Sequence, residues 1–436
     1  MTTCDTLLVA DRVITPHGQV PAAVGVSGGR IVFVGEPTTA PPAAHVVRLA
    51  DDEVLLPGLV DTHVHLQTPG CPGWEGVATA TRAAVLGGVT TLVDMPLDGQ
   101  PVTVDVPALQ AKRAALEGVS EVDVGLWGGA VPGLAEVDSL VAAGVLGFKA
   151  FLSPSGCDQF PPLGPDELVD VLTRLRSTGL PLLVHAEDER LALPLTSPTR
   201  RYADFLASRP AAVESNAIAT VLDAVRASGG RAHVVHVSSA EGVALLRAAQ
   251  HEGLAVTAET CPHYLALPAE RVPDGATQVK ALPAVRGTAD VDALWSGLAD
   301  GVLSMVVSDH SPCAPGGKAS GDFSLDAPGV SSLQLRLPVV WTQANRRGYG
   351  LLDIARWLAF APARLAGLAS KGRIEVGADA DLCVFAPDDE LLVGRLAHRQ
   401  PGSPYDGDRL HGVVRTTWLR GAICEQGTPR GAVLLA

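Results

Sequence analysis

The chain has few of the features that mark an exported, membrane-embedded or nucleic-acid-binding protein. Its seven cysteines (Cys4, Cys71, Cys157, Cys261, Cys313, Cys383 and Cys424) are odd in number and scattered, with no C-x-x-C spacing, which excludes a disulfide framework. No apolar run approaches the roughly 20 residues that span a bilayer. The opening "MTTCDTLLVADRVITPHG" lacks a basic segment followed by an apolar one, so no export signal is predicted. Basic residues are in deficit: 33 Lys and Arg against 47 Asp and Glu give a formal net charge of −14, which opposes binding to nucleic acid or to an anionic membrane. These absences predict a soluble, cytoplasmic protein with free thiols and a small-molecule ligand.

What is present is apolar and regular. With 436 residues, 47% hydrophobic and 18% charged, the chain is too apolar for disorder and long enough for one large domain with a satellite. Residues 1–56 alternate apolar runs with turn residues, which suits a small antiparallel sheet. Residues 371–436 have the same texture, so the two ends are expected to form one β-sandwich side domain. Between them, over 57–370, short runs such as "GVTTLVDM", "GVLGFKAFLS", "LPLLVHAED", "RAHVVHVSS" and "GVLSMVVSDHSP" alternate with helical stretches such as "PDELVDVLTRLRSTG". Repeated units of this length predict an α/β fold, a (β/α)8 barrel.

The polar residues fall where such a barrel would use them. His63 and His65 in "DTHVHL", Lys149 in "LGFKAF", His185 in "LVHAED", His236 in "VVHVSS" and Asp309 in "VVSDHS" each stand at the C-terminal side of an apolar run. In a barrel those ends form the active-site face. Residues i and i+2 of a strand point the same way, so His63 and His65 can reach one cation while Val64 faces outward. Imidazole suits Zn²⁺, and Asp309 adds a hard oxygen ligand. Lys149, set among apolar neighbours, has two readings: a lysine paired with a carboxylate or snorkelling to the surface, or a neutral amine that captures CO₂ as a carbamate shared by two cations.

On these motifs the chain resembles the amidohydrolase superfamily, in its cyclic amidohydrolase group of allantoinases, dihydropyrimidinases and dihydroorotases, with the allantoinases nearest. "GGVTTLVDMPL", "VDVGLWGGAVPG", "GFKAFLSPSG", "YADFLASRP", "AETCPHYL" and "GVVRTTWLRG" extend the resemblance over nearly the whole chain. The resemblance implies two divalent cations, Zn²⁺, bridged by a CO₂-derived carbamate on Lys149. His63, His65 and Asp309 hold one and His185 and His236 the other, with Asp309 as the catalytic proton carrier. It implies a homotetramer and the hydrolysis of a cyclic amide, allantoin to allantoate.

Several positions depart from the allantoinase pattern. Gln67, Thr68 and Cys71 in "QTPGC" replace the usual Asn, Glu and Arg, Asp98 replaces an Asn, and Leu282 and Pro328 stand at positions expected to contact substrate. With Ser153, the expected substrate contacts are therefore Gln67, Cys71, Leu282 and Pro328. Loss of an Arg at position 71 removes a fixed cation, and Pro328 offers no backbone N–H. A paralogue acting on a different ring, such as a hydantoin or dihydropyrimidine, and a non-catalytic binding homologue are the alternative readings. His263 and His310 have two readings, as substrate contacts or as supports of the site; Glu187 and Asp188 are read as orienting the His185 loop, and Cys71 and Cys313 as either redox-reactive thiols near the entrance or buried inert ones.

Overall fold

Side-chain alternation along short parallel strands organises the larger part of the molecule. The computed structural model describes residues 3–71, 73–314, 316–400 and 402–436. Its barrel strands are β1 (Leu59–Val64), β2 (Val89–Asp94), β3 (Asp123–Leu126), β4 (Phe148–Phe151), β5 (Leu182–His185), β6 (Ala232–Val234), β7 (Val256–Thr260) and β8 (Met305–Val306). Neighbours pair in parallel from β1 to β3 and from β4 to β8. The seams close through Leu146 N–H to Leu126 O at 3.0 Å and His65 N–H to His310 O at 2.9 Å.

Each strand divides its side chains between two cores. In β4, Phe148 and Ala150 join the outer core with Leu168, Val171 and Leu172 of the helix Pro165–Leu175. Phe151 instead joins an interior cluster with Val93, Trp127, Leu183 and Val235, and the two-residue period puts Lys149 on that inner face. The covering helix shows its own local logic. Pro165 opens it, Glu167 accepts the Gly164 N–H at 2.9 Å, and Leu168, Val171, Leu172 and Leu175 recur at helical spacing on the buried side. No helix among the described residues is long and apolar enough to cross a membrane.

The two ends of the chain share one eight-stranded mixed sheet, the expected β domain. Its strands lie in residues 4–57 and 382–423, around a core that includes Leu8, Val24, Ile31, Leu382 and Trp418. The Gly28-Gly29 hairpin loop has φ of +58° and +78°, the positive values that a tight two-residue turn demands. The N-terminal part is mixed where an antiparallel sheet was expected. After Arg30–Gly35 the chain crosses back through residues 36–42, so that Ala43–Arg48 runs parallel to Cys4–Thr15. The last residues leave this sheet altogether: Val124 N–H donates to Ala432 O at 2.9 Å and Leu434 N–H to Val124 O at 2.8 Å, against β3.

Candidate metal centre

A buried aspartate sets the register of the candidate ligands. Asp61, fully buried in β1, accepts the backbone N–H of His63 at 3.2 Å and that of Ser308 at 3.2 Å, and Arg336 Nη1 lies 3.5 Å away. It thereby ties the strand that carries His63 and His65 to the segment that carries Asp309. His63 Nε2 stands 3.3 Å and His65 Nε2 3.8 Å from Asp309 Oδ1, and one ligand atom from each residue falls within 4.8 Å of the others. The i, i+2 reading of "HVH" thus describes the geometry found.

Partners behind the imidazoles orient them. His63 Nδ1 is 2.6 Å from Glu259 Oε1, while Glu259 Oε2 takes His233 Nε2 at 3.0 Å. A carboxylate on Nδ1 directs the proton there and leaves the Nε2 lone pair facing Asp309. Burial, helped by Lys149 and the neighbouring imidazoles, holds the His63 pKa well below the ordinary value. His65 differs: burial works against its charge, but Asp98, with Oδ2 at 2.8 Å from Nδ1, and then Asp309 outweigh it and raise the pKa.

The second group of expected ligands converges on the same mouth. His185 Nδ1 and His236 Nε2 are 2.9 Å apart, His185 Nε2 contacts Glu187 Oε2 at 3.0 Å, and Phe151 stacks on the His185 ring at 4.8 Å. Burial lowers the pKa of both histidines, that of His236 strongly, which keeps both as neutral donors. The His236 Nδ1 atom is buried without a hydrogen-bond partner. Lys149 is 1% exposed, and no carboxylate lies within 4.0 Å of its Nζ among the described residues, so neither ion pairing nor surface snorkelling accounts for it. Burial lowers its pKa to about 8 against the pull of Asp309 and Glu259, and raises that of Asp309 to about 7. An orphaned imidazole nitrogen, a buried amine without an ion-pair partner among the described residues and a nitrogen-rich donor set fit divalent cations.

Backbone strain gathers at this place. Of the described non-glycine residues with positive φ, Gln67 (+54°), Asp98 (+63°), His236 (+41°) and Asp309 (+46°) all line one cavity of about 600 Å³. Such conformations are unfavourable for side chains bearing a Cβ and concentrate where function requires a particular aim.

The cavity collects all six expected ligands together with Gln67, Ser153, Leu282 and Pro328. Gln67 is buried and spends its Nε2 on Pro312 O at 2.5 Å. Cys71 is not among the lining residues; Gly70, at φ +89°, packs against Gln100 just before it. His263 and His310 are fully buried behind the mouth, and His310 Nδ1 accepts the Ser332 N–H at 3.2 Å. Glu187 touches His185 directly, whereas Asp188 is engaged by Arg190 and Asn216. Cys313 lines the cavity as a thiol whose pKa burial raises. Sequence reasoning did not single out Asp61, Glu259, Trp74 or Arg209. The one available signal for Glu259 was its place two residues after Thr257 on a strand whose inward positions are polar.

Comparison with known proteins places this geometry in context. The sequence pattern of the amidohydrolase family matches residues 54–424. The allantoinase of Streptomyces avermitilis is 48% identical over 442 aligned positions, covering 100% of this chain and 99% of that protein. The allantoinase of Saccharomyces cerevisiae is 40% identical, covering 98% of each. Among solved structures, an L-hydantoinase (dihydropyrimidinase) from Arthrobacter aurescens superposes with a TM-score of 0.92 at 27% identity, covering 99% of this chain and 100% of that one.

Proposed function

We propose that this chain, a cyclic amidohydrolase that belongs to the amidohydrolase family, opens the ring of allantoin to give allantoate. The observation that carries the reading is full-length identity of 40–48% to proteins named allantoinase, in a chain whose six candidate ligands converge on one cavity. In this reading His63, His65 and Asp309 would hold one divalent cation, and His185 and His236 a second. Lys149 would serve both as a carbamate, formed when its neutral amine adds to CO₂ with release of a proton. The donors suit Zn²⁺. When bound, the cations supply an activated water near neutral pH and polarise the ring carbonyl.

The remaining work falls to the chain itself. Asp309, whose carboxylate lies beside both His63 and His65, takes a proton from the attacking water and returns it to the ring nitrogen as the C–N bond breaks. Glu259 holds His63 in one tautomer, and Phe151 packs against the His185 ring. Gln67, Ser153, Leu282 and Pro328 line the space for the ring and set its orientation. A cytoplasmic homotetramer completes the reading on the strength of the family resemblance.

A second reading is favoured by the lining at Leu282, whose side chain is apolar, and Pro328, which has no N–H: a less polar cyclic amide, such as a simple hydantoin. Turnover of allantoin by protein loaded with Zn²⁺ or Mn²⁺ in bicarbonate, beside hydantoins and dihydropyrimidines, separates the two. Rapid allantoate formation is the expected result. Fully metallated protein that ignores allantoin and opens another ring would overturn the first reading.

A further inference from the structure

A cation does face the cavity, though not from position 71. Arg209 lines it, and so does Glu189; the two are joined by Nη1 to Oε2 at 2.6 Å and Nη2 to Oε1 at 3.1 Å. The Arg209 side chain is 18% exposed and that of Glu189 47%, so their attraction contributes little to stability. Stability therefore does not explain a bidentate pair at this place.

The pair is built into the loops of two candidate ligands. Glu189 lies four residues beyond His185, in the short turn Glu189–Leu191. The Arg209 carbonyl accepts Arg286 Nη1 at 3.1 Å, and Arg286 Nε reaches Ser238 Oγ, two residues beyond His236, at 3.1 Å. Buried Glu214 completes the brace by accepting the Ser238 N–H at 2.7 Å and its hydroxyl at 3.0 Å. Leu193 N–H donates to Ser208 O at 2.8 Å and ties the turn that carries Glu189 to the residue before Arg209. The guanidinium and the carboxylate thus keep a fixed relation to His185 and His236.

The chemistry of the pair is specific. A bidentate contact uses two of the five guanidinium N–H groups and one lone pair on each carboxylate oxygen, leaving donors and acceptors side by side. A lone cation would select an anionic substituent and an apolar wall an alkyl one. A joined cation and anion instead match a neutral group that carries a carbonyl acceptor next to N–H donors. We infer that Arg209 and Glu189 form the subsite for a neutral exocyclic ureido group on the substrate ring. This inference rests on the allantoin reading, since allantoin is a hydantoin ring bearing that substituent.

The test uses metal-loaded enzyme and compares allantoin with unsubstituted hydantoin, as kcat/KM or, where hydantoin only competes, as its inhibition constant. Arg209→Gln and Glu189→Gln are each expected to lower the preference for allantoin over hydantoin by about 10- to 100-fold, mostly through KM, because donors and acceptors that the bound substrate would cover lose their match. Arg209→Lys, which keeps the charge but loses the fork, should lower it by an intermediate factor. Should Arg209→Gln fail to fold, the half-exposed Glu189→Gln still decides the matter. An unchanged preference in the folded variants overturns the inference and leaves the allantoin reading standing. A wild-type enzyme that acts on hydantoin and not on allantoin overturns both.

Discussion

Two lysines in this molecule are almost equally buried, and their surroundings are opposite. Lys371, 3% exposed where the β domain meets the barrel, has Asp123 at 2.6 Å, Asp381 at 2.7 Å and Asp379 at 3.0 Å. Burial disfavours its charge, but Asp381 and Asp123 outweigh that and raise its pKa. Lys149, 1% exposed at the other end of the barrel, has no carboxylate within 4.0 Å among the described residues, and its pKa falls to about 8. A structural lysine is buried with its counter-charges, because an unpaired buried charge is costly. A lysine buried without them is held ready to be neutral, which is the form that reacts.

The sharpest way to break the comparison is to remove each lysine. Lys149→Ala should reduce turnover by at least about a thousandfold and lower the bound metal together with it, read by steady-state kinetics beside elemental analysis of the purified protein. An active variant with full metal content would sink the carbamate. Lys371→Met should instead cost about 3–5 kcal/mol in denaturant unfolding, because three carboxylates lose their shared cation, while turnover per metallated chain stays within about twofold. A large loss of kcat with unchanged stability would show that the two sites are not separate.

The two lysines also predict opposite responses to pH. Lys371 has its folded pKa raised, so its contribution is fully present below the unfolded value near 10.5 and is lost as pH climbs through the folded pKa. Lys149 has its folded pKa lowered to about 8, so between about pH 8 and 10.5 the unfolded chain binds more protons and stability rises with pH. In metal-free, CO₂-free protein, Lys149→Met is expected to stabilise by about 2 kcal/mol at pH 7, with the gain fading toward pH 10. Urea titrations at the two pH values measure it; equal gains at both would mean that the amine is not charged in the metal-free state.

Glu259→Gln is the finest of these probes. It keeps the shape of the side chain but weakens its hold on His63 and His233, and should lower metal affinity by about 10- to 100-fold with little change in stability. Unaltered affinity, measured by competition with a chelator, would mean that packing alone aims His63.

The candidate ligands stood out because each interrupts an apolar run: a histidine, lysine or aspartate ending a strand that must be buried contradicts its surroundings. The residues that contact them did not. Asp61 stands in the same "DTHVH" as two candidate ligands, yet what makes it matter is Ser308, 247 residues away in sequence. Glu259 pairs with a histidine 196 residues distant. Cys71, expected among the substrate contacts on alignment with a family Arg, lies off the cavity, while Arg209, in a segment read only for its family likeness, lines it.

By itself, the order of residues determined the alternation of short apolar strands with amphipathic helices, the pairing of like-textured ends, and the chemical types at the strand ends. These are local properties, set by side-chain period and by the cost of burying polar groups. Only the folded barrel decided which nitrogen of His63 faces Asp309, that Lys149 has no carboxylate in ion-pair contact among the described residues, and that Arg209 and Glu189 are joined near His185. Those facts depend on distances between residues far apart in the chain, and such distances exist only once the strands have closed on one another.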